Sequence, residues 1–322
     1  MLASAASLTR GQPTETPAVR PRVVAYVPNW IDVAKFSRTI DYAKLTHINI
    51  AFENPTDAHG TLSFHKGNAE LIATAHKAGV KVLVSLGGGA DSTNKTMQAH
   101  YFDLIGAEKR ADFAAKLAKY LDDHDFDGLD VDLEGPAINA DYGPFIEELD
   151  KILRPRGKSL TAALSEGYGG KNVPDATLQR FDFVNVMAYD GKGSWNANDP
   201  GQHSSLQLAE RAIAYWRKRG LSSEKIVLGV PFYGYGFGRD FRKSPYAYDA
   251  IVAKYPGAET RDESGDTIWY NGIPTIQAKS RLVLDEKLGG VMIWSLDNDA
   301  PGDKSLLRAI DETLRSGNPA KK

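Results

Sequence analysis

Eight short runs of apolar and β-branched residues, alternating with helical patterns, constrain this chain more than any other feature. They fall at Val23–Trp30, His47–Phe52, Val80–Leu86, Gly128–Leu133, Leu160–Leu164, Phe183–Ala188, Ile226–Phe232 and Gly290–Trp294. Several, such as KVLVSLGG from 81 and KIVLGVPF from 225, are apolar on both faces. Strands of that kind are stable inside a parallel sheet covered on both sides. The intervening segments read as helices. Asn68–Lys77 runs into Gly79. Glu108–Asp123 carries Phe113, Leu117 and Leu121 on one stripe. Leu206–Lys218 closes at Gly220, and Ile276–Leu288 and Lys304–Arg315 follow. Eight strand–helix repeats predict an α/β chain, a single (β/α)8 TIM barrel. An open doubly wound sheet is the alternative. The first strand is followed by Tyr26-Val27-Pro28-Asn29-Trp30 and no Gly-rich phosphate loop, which argues against a dinucleotide-binding version.

One connection is long. Between Phe232 and Ile276 lie about forty residues rich in Gly, Tyr and Phe. A short helix at Ala247–Lys254 and a hairpin around Asp266–Gly272 are expected there. This extended loop follows strand 7 and so sits at the C-terminal mouth, where barrel active sites lie. Residues 1–20 read as a flexible leader, 21–317 as the barrel and 318–322 as a tail. Leu2–Ala6 is signal-like, but no basic n-region and apolar h-region accompany it. The formal net charge of −2 leaves no global attraction to nucleic acid or anionic lipid. The absence of cysteine excludes disulfides, thiolate metal sites and a Cys nucleophile. No apolar run approaches the ~18 residues that span a bilayer.

The fourth run carries the chemistry. In Asp127-Gly-Leu-Asp130-Val-Asp132-Leu-Glu134, strand periodicity sends Asp130, Asp132 and Glu134 to one face and Leu129, Val131 and Leu133 to the other. In a barrel the apolar set meets the helices. The acids then point inward, with Glu134 at the mouth. Three inward carboxylates repel one another and resist desolvation, so their protonation is coupled. Asp127 reads as an anchor for the start of the strand. Carboxylates alone can hold a hard cation, but the sequence suggests no further ligands, and no metal is expected.

The segment Asp127-x-x-Asp130-x-Asp132-x-Glu134 resembles the DxxDxDxE signature of family 18 glycoside hydrolases, the chitinases and their relatives. Ser85-Leu-Gly-Gly88 resembles the family's SxGG, and Met187-Ala-Tyr-Asp190 its MxYD. Gly290–Ser295 resembles the eighth strand with a Trp, here Trp294, at the floor of the sugar site. Tyr26 and Phe52 stand where the first and second strands offer aromatics. The similarity runs from about Pro21 to Gly317.

The resemblance implies substrate-assisted hydrolysis of β-1,4-linked N-acetylglucosamine, with retention and without a cofactor. Glu134 would be the general acid and base. Asp132 would orient the substrate's acetamido group, and Asp130 would share a proton with Asp132. Tyr189 would donate to the acetamido oxygen. Tyr26, Phe52, Ser85, Met187, Asp190, Trp195 and Trp294 would bind sugar, with Ser85 also reaching the buried acids. Chitin or N-acetylglucosamine oligosaccharides would be the partner, with neither nucleic acid nor membrane. The implied protein is a monomer, secreted or periplasmic.

Other aromatics near the mouth are Trp30, Tyr168, Phe232, Tyr233, Tyr235, Trp269 and Tyr270, whereas Trp216 is expected in the core. Two departures from the family pattern point to a shallow cleft. The residues after SxGG, Gly89-Ala90-Asp91-Ser92, include no Trp, and the loop after strand 7 is too short for the family's full α+β insertion domain. An endo-β-N-acetylglucosaminidase acting on N-glycans is one alternative, although such relatives often lack the aspartate retained here as Asp190. An amino-sugar-binding lectin on the same fold is another, although such relatives typically lack the acid at Glu134.

Overall fold

The eight apolar runs form a closed parallel barrel. The computed structural model describes residues 20–89, 93–243 and 245–317. Its strands begin with β1 (Arg22–Pro28), β2 (His47–Ala51), β3 (Lys81–Gly87) and β4 (Gly128–Asp132). They continue with β5 (Ser159–Leu164), β6 (Phe183–Val186) and β7 (Ile226–Pro231). Four short strands follow, β8 (Tyr233–Gly236), β9 (Tyr246–Ala247), β10 (Glu263–Ser264) and β11 (Ile268–Trp269), and then β12 (Gly290–Trp294). The helices are α1 (Val33–Ser37), α2 (Asn68–Lys77), α3 (Lys95–Leu104), α4 (Arg110–Asp123) and α5 (Tyr142–Leu153). After them come α6 (Asp175–Leu178), α7 (Leu206–Lys218), α8 (Tyr248–Lys254), α9 (Ile273–Asp285) and α10 (Leu306–Ser316). The barrel order is β1-β12-β7-β6-β5-β4-β3-β2, every neighbour parallel.

Strand alternation divides the core in two. Leu129, Val131 and Leu133 of the acidic strand face outward and join the large core packed between barrel and helices. The lumen holds a smaller cluster of Val24, Tyr26, Ala51, Ala163, Phe183, Val227 and Met292. Phe52, Met187, Tyr189 and Trp294 close it at the mouth. The barrel is therefore a filled core with its reactive layer on top.

Helices α2 and α7 span the expected residues, and Trp216 is fully buried. Helix α9 begins three residues before the expected start. Pro274 occupies its first turn, where a missing N–H costs nothing. Helices α3 and α5 arise where no helix is expected. The latter carries a Gly-Pro pair in its first turn, which hides its start.

The long loop contains more structure than a helix and a hairpin. Strands β10-β11-β8-β9 form a small antiparallel sheet beside α8, with no separate insertion domain. The hairpin pairs Glu263 with Trp269, so its turn comes earlier than expected, at Gly265 with φ +65°. Arg20 pairs with Asp311 of α10 at 2.5 Å. The expectations for leader residues 1–19, for tail residues 318–322 and for Ala90-Asp91-Ser92 lie outside the described residues.

Candidate active site

Register builds the deepest part of the site. Asp130 lies level with Ser85 on β3 and with Thr161 on β5. Both hydroxyls donate to it, Ser85 Oγ to Oδ2 at 2.7 Å and Thr161 Oγ1 to Oδ1 at 2.6 Å. From across the lumen Tyr26 Oη donates to Oδ2 at 2.6 Å, and Asn185 Nδ2 reaches Oδ1 at 3.2 Å. Asp130 is fully buried. Burial pushes its carboxyl above the usual range, and the four donors pull it back.

Asp132, also buried, lies one layer nearer the mouth, level with Gly87. The two glycines of the SxGG segment admit this neighbour. A Cβ on Gly87 (φ +93°) would meet the Asp132 carbonyl oxygen at 2.3 Å, and one on Gly88 (φ +74°) would meet the Phe52 ring at 2.3 Å. Gly88 N–H donates to that same carbonyl at 2.8 Å. The motif is thus a close-packing device between β3, β4 and the aromatic floor.

Glu134 follows the last residue pair of β4 in extended conformation and is mostly buried at the rim. Burial first, and then the charge of Asp190, raise its carboxyl to about 7. Tyr189 and Asp190 follow β6 across the mouth. The Tyr189 phenol is pushed well above its ordinary value by burial and by Asp132, Asp190, Glu134 and Asp130, so it stays protonated and can donate. Asp190 adopts φ +58° and accepts from the Tyr233 hydroxyl. His203 Nδ1 lies 3.5 Å from its Oδ1.

An aromatic floor adjoins the acids. Trp294 packs on Tyr26 at 5.4 Å between ring centres and stacks with Phe52 at 5.7 Å. Trp30 extends the floor outward, 6.5 Å from both Phe52 and Trp294. On the opposite side Trp195 stands edge-on to Tyr235 at 5.5 Å. Trp30 and Trp195 are 65% and 61% exposed. Such exposure is costly for indoles unless another surface covers them.

The sequence-derived set is therefore brought together at one end of the barrel. Met187 lines the lumen beneath the floor. Asp127 is confirmed as an anchor, since its Oδ2 accepts from Val82 N–H at 2.7 Å and lies 2.8 Å from His76 Nε2. Phe232 and Tyr270 are fully buried in the core, the place that packing favours for any single aromatic of this group. Thr161, Asn185 and His203 join the site without a sequence signal of their own, beyond the polar side chains that interrupt the apolar runs of β5 and β6, while Tyr233, expected near the mouth, donates to Asp190 there. Among the described residues no group of three or more His, Asp or Glu is arranged to hold a metal ion.

Residues 22–299 match the family model described as Glycosyl hydrolases family 18. The chain is 35% identical to a crystallised GH18 chitinase from the chitin utilization locus of Flavobacterium johnsoniae. The alignment has a TM-score of 0.86 and covers 94% of this chain and 99% of that one. A chitinase structure from Bacteroides thetaiotaomicron aligns with a TM-score of 0.76 at 25% identity, over 91% and 96% of the two chains. An endochitinase of Manduca sexta is 28% identical over 74% of this chain and 49% of its own length. A probable chitinase 10 of Drosophila melanogaster is 27% identical over 94% of this chain and 16% of its own length. The chain thus spans half or less of the length of these two curated relatives.

Proposed function

The chain belongs to family 18 of the glycosyl hydrolases, and from that premise we propose that it hydrolyses β-1,4-linked N-acetylglucosamine with retention. The observation that carries the proposal is Glu134, a rim carboxyl raised to about 7 and so about half protonated at neutral pH. It protonates the glycosidic oxygen. The substrate's acetamido oxygen then attacks the anomeric carbon from the opposite face, and the bond to the leaving group breaks. Asp132 holds the acetamido N–H as positive charge develops, and the Tyr189 phenol donates to the acetamido oxygen. Glu134, now a carboxylate, takes a proton from water. That water opens the cyclic intermediate and regenerates the starting configuration. Asp130, held by four donors, fixes the base of this array.

The stacked floor of Trp294, Phe52 and Trp30 supports the sugar class. Flat indole and phenyl faces suit the apolar faces of pyranose rings. The small β8–β11 sheet gives a low wall, which favours soluble chito-oligosaccharides over crystalline chitin. Oligomers released from extracellular chitin would be met by a secreted or periplasmic enzyme. Among the described residues no helix is long and apolar enough to cross a membrane.

The test is product analysis on N-acetylglucosamine oligomers of graded length. β-Anomers are expected as initial products, and Glu134→Gln is expected to cut kcat by about 10³. Initial α-anomers would exclude the mechanism. Binding without turnover by the wild type would favour the lectin reading.

A further inference from the structure

His203 is fully buried, yet it faces the most exposed acid of the site. Its Nε2 lies 3.2 Å from the Tyr233 carbonyl oxygen, which only accepts, so Nε2 carries a proton. Its Nδ1 lies 3.5 Å from Asp190 Oδ1 and has no hydrogen-bond partner among the described residues. A neutral ring would then turn a lone pair toward a carboxylate.

The backbone that carries the imidazole is held in place. Gly191 N–H donates to the His203 carbonyl at 2.9 Å, and Ser204 Oγ donates to Ala188 O at 2.7 Å. Buried Lys279 of α9 donates to Ser204 O, Ser204 Oγ and Asn271 Oδ1 at 2.8, 2.6 and 2.7 Å. The segment carrying His203 is thereby clamped against the Ala188–Gly191 turn that presents Tyr189 and Asp190.

We propose that His203 is a positioning residue, holding a proton between its Nδ1 and Asp190 and so limiting the negative charge that Asp190 presents to Glu134. The consequence for the acid rests on the hydrolase reading above; the shared proton does not. The charged and titratable groups around the ring are Asp190 from the turn after β6, Tyr233 and Tyr235 from β8, and Lys279 from α9 through Ser204. The tyrosines donate to Asp190 or lie edge-on to the ring. Lys279 opposes an imidazolium, but burial lowers its own ammonium to about 7. Asp190 is the group that meets Nδ1 directly.

Two measurements test the inference. In ¹⁵N imidazole spectra of the wild type at pH 6, one buried histidine is expected to carry a proton on both ring nitrogens. Asp190→Asn is expected to convert that ring to the neutral Nε2–H form. A buried ring with Nδ1 bare at pH 6, and unchanged by Asp190→Asn, overturns the proposal. In the kinetic arm, His203→Gln leaves the Asp190 charge unopposed. The alkaline limb of kcat/KM should then move up by about half a pH unit, while Asp190→Asn moves it down. A purely structural role would lower kcat without shifts of opposite sign. If the wild type hydrolyses no N-acetylglucosamine oligomer, the proposed function fails, and the spectra still decide the shared proton.

Discussion

Asp130 and Glu134 lie on the same face of one strand segment, and their surroundings could hardly differ more. Deep in the lumen, Asp130 has two donors on each oxygen, drawn from four strands. At the rim, Glu134 is largely desolvated and faces the charge of Asp190. Burial raises both carboxyls, but donors counter it around Asp130, while a like charge reinforces it at Glu134. Asp130 is locked in a full set of donors, whereas Glu134 is left at the rim with a raised carboxyl. Separation of two environments over a few residues is how one strand can present two carboxyls of different proton affinity.

The comparison fails most visibly if Asp130→Asn is harmless. The amide NH₂ would face a pair of donors, so a loss of about 4 kcal/mol is expected in denaturant unfolding. The same isosteric change at the rim should act with the opposite sign. Glu134 has a folded pKa raised from 4.5 to about 7, so the native state binds the extra proton between those values. Wild-type stability from this group is complete below about pH 4.5 and is lost as pH rises through 7. Glu134→Gln escapes that loss. Its advantage should be absent at pH 4 and reach about 3 kcal/mol at pH 8, read as a growing gap in unfolding midpoints.

Removal of one donor from the deep site probes its redundancy. Thr161→Val should cost about 2 kcal/mol with the fold retained. At the outer floor, Trp30→Ala should leave stability unchanged and raise KM about fivefold for longer oligomers, a loss near 1 kcal/mol. A larger change for the shortest substrates would place Trp30 nearer the reacting sugar than the floor geometry implies.

The barrel was legible because strands buried on both faces write themselves as unbroken apolar runs, and because alternation in Leu129–Glu134 assigns each side chain a face. Helix α7 was legible through its stripe and its Gly stop. Helix α5 was not, since Gly143-Pro144 reads as a turn until tertiary packing overrides it. Strands β8–β11, two to four residues each, are too short for any periodicity to register. Glu134, Asp132 and Asp190 were legible as motif positions. The partners that set their charge were not. Thr161, Asn185 and His203 lie 31, 55 and 13 residues from the acids they face, and only the tertiary fold brings them together.

The small sheet after β7 leaves the barrel and returns to it side by side. Tyr235 pairs with Trp269, and the Gly234 backbone lies against Trp269 and Tyr270. The segment between therefore behaves as a cassette whose two ends are already joined. Chain inserted between β9 and β10 would carry a closure cost that grows only with the logarithm of its length, while the barrel closure through β12 stays as it is. Groove depth can thus evolve, or be engineered, as a parameter independent of the catalytic chemistry beneath it.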